Sequence, residues 1–212
     1  MAVITISRQF GAGGKTLGEK LAESLEYSLI DEELIEQVAQ KANVSSEFVR
    51  TVEKDAGGKL LRYVSGLSPL RKSYLYKTMV DKQGFIDGHR YVELLDEVIR
   101  AIAADDNVII IGRGGQYILQ SHPETIHLML VAERTDRIGL LRRKYDLDHS
   151  QASQIIAKQD KIRTNLFRYF GKEDFDNPML YHLVLNMSRI SMDEAVDLVQ
   201  TLVRQKQSQK AV

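Results

Sequence analysis

Ten residues near the start, SRQFGAGGKT (7–16), bring glycines, a lysine and a threonine together in an order suited to holding phosphate. Glycines let successive backbone N–H groups converge on an anion, and a helix beginning there adds the partial positive charge of its N-terminus. The general form of such a loop is G-x-x-x-x-G-K-[ST]. Gly14-Lys15-Thr16 fits its end, yet the first glycine is expected at position 9, which is Gln9. The plain alternative is an ordinary glycine turn between a strand and a helix. The flanking sequence favours the phosphate reading, because an apolar strand pattern precedes the glycines and a patterned helix follows them.

Other residues with chemical potential surround this loop in the sequence. Arg8 stands immediately before it, and Asp31 and Arg113 each follow an apolar run. Arg134, Arg137, Arg142, Arg143, Lys144, Lys158, Lys161, Arg163 and Arg168 crowd one later segment. A chain that is neutral overall but concentrates cations near a glycine loop has the charge pattern of an anion-binding cleft. The plain reading of these arginines is a solvated helix face paired with Asp146, Asp148 and Asp160. Asp31 also suits a helix N-cap ahead of Glu32-Glu33-Leu34, a position that favours Asp. Histidines 89, 122, 127, 149 and 182 show no metal spacing, and His127 and His182 fall on strand patterns, where a structural role is expected. There is no G-x-S-x-G elbow.

Composition narrows the classes. The 212 residues carry 29 basic and 29 acidic side chains, so the basic excess of a dedicated nucleic-acid binder is missing. With no cysteine there is no disulfide framework, thiolate metal site or cysteine nucleophile. No apolar run approaches the ~18 residues of a membrane span, and MAVITISRQF is too short an apolar stretch for a signal peptide. A cytoplasmic protein without membrane attachment is the expectation.

The elements that must position these residues read as follows. AVITI (2–6) is a β-branched apolar run, hence a buried strand. Leu17, Leu21 and Leu25 then recur at helical spacing from Thr16 onward. Tyr27–Ile30 is a short second strand. Helices follow over 32–41 and 45–54, the second capped by Ser45 or Ser46. Residues 55–90 are rich in glycine and basic on balance, and read as an insert of helical pieces and loops, equally suited to be a dimer surface. A helix is predicted over 89–104 with a Val92, Leu95, Val98, Ile99 stripe. NVIII (107–111) and TIHLMLV (125–131) are buried strands. Helices cover 134–145 and 150–168, Leu183–Leu185 is a brief last strand, and Ser191 caps a final helix with Ala195, Leu198, Val199 and Leu202 inward. Nearly all-apolar strands alternating with helices predict an α/β fold, a parallel sheet with helices on both faces.

The stretches ITISRQFGAGG, LAESLEYSLIDEELI, VIIIGRGGQYIL, KQDKIRTNLFRYF and LVLNMSRISMDEAVDLV together resemble the cytidylate kinase-like family, related to bacterial CMP kinases among the nucleoside monophosphate kinases. The resemblance spans nearly the whole chain. It implies one kinase-like P-loop NTPase domain over 1–212, with an acceptor-side insert at 55–90 and a lid at 134–172. It also settles a register. Laid without gaps on the related I-D-G-P-S-G-A-G-K-G-T, Gly11-Ala12-Gly13 fall on G-A-G and Thr16 on the threonine. Gly14 then falls on the catalytic lysine and Lys15 on the glycine after it. Helical phase agrees, since Leu17, Leu21, Ala22 and Leu25 form the buried face when counted from Gly14. Counted from Lys15, that face would contain Glu23 and Glu26. Lys15 is thus turned by about 100° from the usual lysine slot.

Four further departures accompany this one. Arg8 replaces the loop's first glycine, Gly114 replaces the aspartate of G-R-D, and Ile111 replaces the acidic residue before that turn. Arg163 lies where related lids carry a second aspartate. The resemblance implies transfer of the ATP γ-phosphate to a nucleoside monophosphate, CMP or dCMP, with magnesium held by Thr16 and substrate phosphates. Gly11, Ala12, Gly13, Gly14, Lys15 and Thr16 would cradle phosphate, and Asp31 and Arg113 would hold the acceptor. Arg142, Arg143, Asp160 and Arg168 would act from the lid, and Arg8, Lys15 and Arg163 are the cations available for catalysis. Gly14, Ile111 and Gly114 favour a second reading, a nucleotide- or phosphate-binding relative with a regulatory role. A kinase for another small phosphate acceptor is the third reading.

Overall fold

Four of the five predicted strands are short β-branched or leucine-rich runs, and in the computed structural model they pair side by side as parallel strands. The structure describes residues 2–54, 88–172 and 174–209. Among these, β1 (Val3–Arg8) runs up the middle of a five-stranded sheet of order β2-β3-β1-β4-β5, with β2 at Ser28–Ile30, β3 at Val108–Ile111, β4 at Thr125–Val131 and β5 at Leu183–Asn186. Register is even throughout: Ile6 lies beside Ile111 on one side and Leu128 on the other. The predicted α/β fold with a parallel sheet is the observed one.

The described helices are α1 (Gly14–Leu25), α2 (Glu33–Ala42), α3 (Ser46–Lys54), α4 (Gly88–Ala103), α5 (Gly115–Ile118), α6 (Arg134–Tyr145), α7 (His149–Tyr169) and α8 (Met192–Gln209). They belong to two compact units. The larger holds residues 1–31, 99–161 and 174–212, and the smaller holds 32–98 and 162–173. Apart from residues 88–90, the insert expected at 55–90 lies outside the described residues.

In the larger unit, α1 and α8 cover one face of the sheet. Ile4, Ile6, Ile109, Leu128 and Leu130 are fully buried there with Leu17, Leu21, Ala195 and Val199. Gly18 lets α1 approach closely, since a Cβ at that position would stand 2.9 Å from Leu29 Cδ1 and 3.0 Å from Ile111 Cδ1. The opposite face carries α5, where Gly115 lies against Thr5 and Ile110. In α8 the inward stripe differs from the predicted one: Val203 is buried while Leu198 is 47% exposed. The helix begins with a reciprocal cap, Ser191 Oγ accepting from the Glu194 N–H and Glu194 Oε2 accepting from the Ser191 N–H. Ala195, Val199 and Val203 recur at four-residue spacing in the core, and Leu198, about 100° around the helix from Val199, faces outward. In the smaller unit, Ser45 caps α3 by accepting from the Phe48 N–H. Tyr91 and Leu94 are buried in α4, a wider stripe than the pattern of branched residues alone predicts.

The two strand-pattern histidines are structural, as expected, and they carry a pH dependence. Thr5 and His127 face each other in register, with Oγ1 and Nδ1 2.7 Å apart. His182 Nδ1 accepts from the His127 N–H. Burial, reinforced by the nearby His182, pushes His127 down to about 4. Burial and Lys206 also lower His182. A folded-state value below the unfolded one means that stability is full above the ordinary histidine value and is lost as pH falls through the window from ~6.5 to ~4. His127 alone should remove about 2 kcal/mol between pH 7 and pH 5. Urea unfolding at the two pH values checks this. A His127→Asn protein whose pH slope matches the parent's would refute the assignment.

Candidate functional site

The carboxyl ends of parallel strands are where ligands sit in open α/β sheets. Here the ends of β1 and β3 present two glycine turns side by side. The first, residues 9–13, has Gly11 and Gly13 in the left-handed region, both with φ of 86°. Glycine is required at such positions because a Cβ would clash with the following carbonyl. Gln9 pins the turn to β4: its N–H donates to Leu130 O, and its Oε1 accepts from the Ala132 N–H.

Helix α1 begins at Gly14, with Gly13 as its cap. Leu17 is the first amide to bond back into the helix, to Gly13 O at 2.9 Å. The amides of Gly14, Lys15 and Thr16 come before it and have no acceptor within the helix. With the helix dipole behind them, these three N–H groups have the arrangement that can receive an anion. Gly14 is buried and Lys15, the second helical residue, is exposed.

The second turn follows β3. Gly112, Arg113 and Gly114 all have positive φ, of 75°, 47° and 76°. The non-glycine in this run is held by its side chain, because Arg113 Nη1 donates to the Asp31 carbonyl at 2.5 Å and faces Asp31 Oδ1 at 3.4 Å. Arg113 is only 8% exposed. The structure therefore brings the two expected acceptor residues together. It also corrects the capping role for Asp31: the residue capping α2 is Glu32, and it does so without a side-chain bond. Asp31 is turned toward Arg113 instead. Ile111, where related enzymes carry an acid, is fully buried against Gly18, so that place belongs to the core.

The residues expected in the lid belong to both units. Arg142 and Arg143 are exposed on α6. Arg163 and Arg168 belong to the smaller unit, where the Arg163 guanidinium lies 5.0 Å from the Phe167 ring centroid. Asp160 is at the loop. Its Oδ1 accepts from the Phe10 N–H at 3.4 Å and its Oδ2 from Arg137 Nη2 at 2.5 Å. Arg137 stands among the cations counted in this segment but is not one of the expected site residues, and the structure puts it at the loop. It is buried, and its Cβ and carbonyl pack against Gly11. The signal was present in its spacing, four residues before the buried Leu141 and next to the buried Ile138, which places it on the inward face of α6.

Arg8, at the end of β1, is the remaining candidate. A Cβ on Gly14 would stand 2.9 Å from Arg8 Cγ and 3.2 Å from its Cβ and Cδ. A Cβ on Gly112 would stand 1.9 Å from Arg8 Nη1. The stem of this one side chain crosses the start of α1, and its head rests on the second turn. Among the described residues no group of three or more His, Asp or Glu side chains is placed to hold a metal ion, and no helix is long and apolar enough to cross a membrane.

Residues 3–189 match the cytidylate kinase-like family. A solved uncharacterized protein from Eubacterium ventriosum ATCC 27560 is 18% identical with a TM-score of 0.66, over 96% of this chain and 98% of that one. The YorR protein of Bacillus subtilis, solved in complex with phosphorylated GDP, is 15% identical with a TM-score of 0.52, over 97% and 98% of the two chains. A sugar kinase from Janibacter sp. HTCC2649 is 15% identical with a TM-score of 0.50, over 95% and 93%. At these identities the likeness is one of fold, that of the P-loop kinases. Among curated proteins, the uronate isomerase of Corynebacterium glutamicum is 25% identical over 97 residues, which are 46% of this chain and 19% of that protein's length.

Proposed function

For a chain that belongs to the cytidylate kinase-like family, we propose transfer of the ATP γ-phosphoryl group to the phosphate of a nucleoside monophosphate, with CMP or dCMP as first candidates. The observation that carries this reading is the row of amides at Gly14, Lys15 and Thr16, which open α1 directly after the left-handed glycines Gly11 and Gly13 at the carboxyl edge of the sheet. That row fits the donor phosphates. The Arg113–Asp31 pair on the neighbouring turn fits the acceptor side.

In the reaction an oxygen of the acceptor phosphate forms a bond to Pγ as the bond from Pγ to the β,γ-bridging oxygen breaks. ADP leaves with that electron pair. A dianionic phosphate acceptor needs no general base, so the chain's part is to position both substrates and to offset negative charge. The Thr16 hydroxyl, half-buried in the first turn of α1, is the protein group suited to magnesium, with the other ligands coming from phosphate oxygens and water. The ion would draw charge from the leaving oxygen. The 55–90 insert and the 134–172 lid complete the acceptor and closing parts of this reading.

A second reading, a nucleotide-binding protein that does not turn over, is favoured by Ile111, whose burial leaves no acid at the end of β3. One assay separates the two: magnesium-ATP with a panel of nucleoside monophosphates, followed by ADP release. Turnover of about 1 s⁻¹ or faster with a pyrimidine monophosphate is expected. Binding of ATP without turnover on any acceptor would leave the second reading standing and remove the first.

A further inference from the structure

We propose that Arg8 supplies the charge that the loop's missing lysine would have supplied, reaching the reacting phosphates from the strand instead of the helix, and that Gly14 and Gly112 are the two openings its side chain requires. This rests on the kinase reading of the loop.

The helix start fixes the positions. With Gly13 as cap, Gly14 is the first residue of α1 and Lys15 the second. Lys15 is exposed, about 100° around the helix from Gly14. The space above Gly14 is filled by the methylene stem of Arg8, whose Cβ, Cγ and Cδ are the three nearest atoms to a Cβ built there. A lysine at position 14 and an arginine at position 8 thus exclude each other. Loss of the loop glycine at position 8 and loss of the lysine at position 14 are then one change, the transfer of a cation from helix to strand.

The head of Arg8 has its own opening. Its Nη1 and Cζ stand 1.9 Å and 3.0 Å from a Cβ built on Gly112. Any other residue there would displace the guanidinium, and would also have to adopt a φ of 75°. The charge is therefore held between the amides of α1, on the donor side, and the turn carrying Arg113, on the acceptor side. That is the region a phosphoryl group crosses in an in-line transfer. Arginine suits it, since it stays protonated and offers several donors in one plane to the equatorial oxygens. Positioned cations of this kind act where charge develops in the transition state, and removing one donor typically lowers turnover about 10²–10³-fold.

The test exchanges the cation. Arg8→Ala is expected to lower kcat about 10²–10³-fold while the KM for ATP moves less than about tenfold. Gly14→Lys on its own should also lose activity, because the Arg8 stem occupies its space. The double variant Arg8→Ala/Gly14→Lys should regain at least about tenfold over Arg8→Ala, since the vacated volume accepts the lysine. Arg8→Lys, which keeps the stem, guards against a folding defect and should fall between parent and Arg8→Ala. Circular dichroism and thermal unfolding accompany each variant.

Turnover of Arg8→Ala within about threefold of the parent would overturn the assignment. So would tighter ATP binding with turnover retained, which would make Arg8 a plug. If the parent turns over no acceptor, the kinase reading fails, and titration with inorganic tripolyphosphate still decides the role of Arg8. A loss of about tenfold or more in Arg8→Ala supports the charge assignment, and unchanged affinity removes it.

Discussion

Replacing Gly13 by alanine will leave a folded protein that has lost about 10²–10³-fold of its affinity for ATP. Gly13 caps α1 with φ of 86°, a conformation that strains an L-residue by about 1–2 kcal/mol. A Cβ there would also stand 2.9 Å from Met192 Cε, the flexible end of a side chain that can give way. The stability loss is thus confined to the backbone term. Binding suffers more, because relief of the strain rotates the peptide planes that aim the amides of Gly14, Lys15 and Thr16. Losing two charge-assisted hydrogen bonds of about 1.5–2 kcal/mol each gives the stated factor. Isothermal titration with magnesium-ATP, beside urea unfolding, separates the two effects. An alanine variant that binds ATP like the parent would show that phosphate does not sit on these amides.

Asp160→Ala should destabilise the larger unit by about 2–3 kcal/mol, whereas Arg137→Met should stay within about 1 kcal/mol of the parent. The asymmetry follows from burial. The Arg137 side chain is 7% exposed and Asp160 is 37% exposed. Removing the carboxylate takes a counter-charge from a buried guanidinium and an acceptor from the Phe10 N–H. Replacing the arginine by an apolar chain of similar volume removes the desolvated charge and leaves a carboxylate with access to water. A figure somewhat below the usual ~3–5 kcal/mol for a broken buried pair applies because Asp160 is partly solvated. Urea unfolding of the two single variants and the double variant measures this. Equal losses in both singles would mean that packing, not charge, dominates here. Asp160→Ala should also weaken ATP binding, since the Phe10 N–H, next to Gly11, then loses its tie to α7.

Much of the frame was legible because it depends on short-range patterns. The β-branched runs at 3–6, 108–111 and 125–131 specify buried strands. Leucines at four-residue spacing specify the face of α1 that packs on them, and glycines specify the two turns. Errors arose where a pattern admits two phases. Leu198 and Val203 are both apolar and close in α8, and it is the packing of the Ala195–Val199 face on the sheet that takes Val203 inward and leaves Leu198 exposed. Asp31 suits a helix cap as a residue type, yet Arg113 captures it from the turn after β3.

The register of the phosphate loop could be read from the chain alone, since burial of Leu17 and Leu21 forces the helical phase and leaves Lys15 outside. The paths of Arg8 and Arg137 could not. Each is a long side chain with several rotatable bonds, and its direction is set by backbone contributed from elsewhere. For Arg8 these are Gly14 and Gly112, which meet because β1 and β3 are neighbours in the sheet. For Arg137 they are Gly11 and Asp160. Periodicity carries information over a turn or two of chain. The meeting of two glycines around one arginine depends on strand order, which no local pattern encodes.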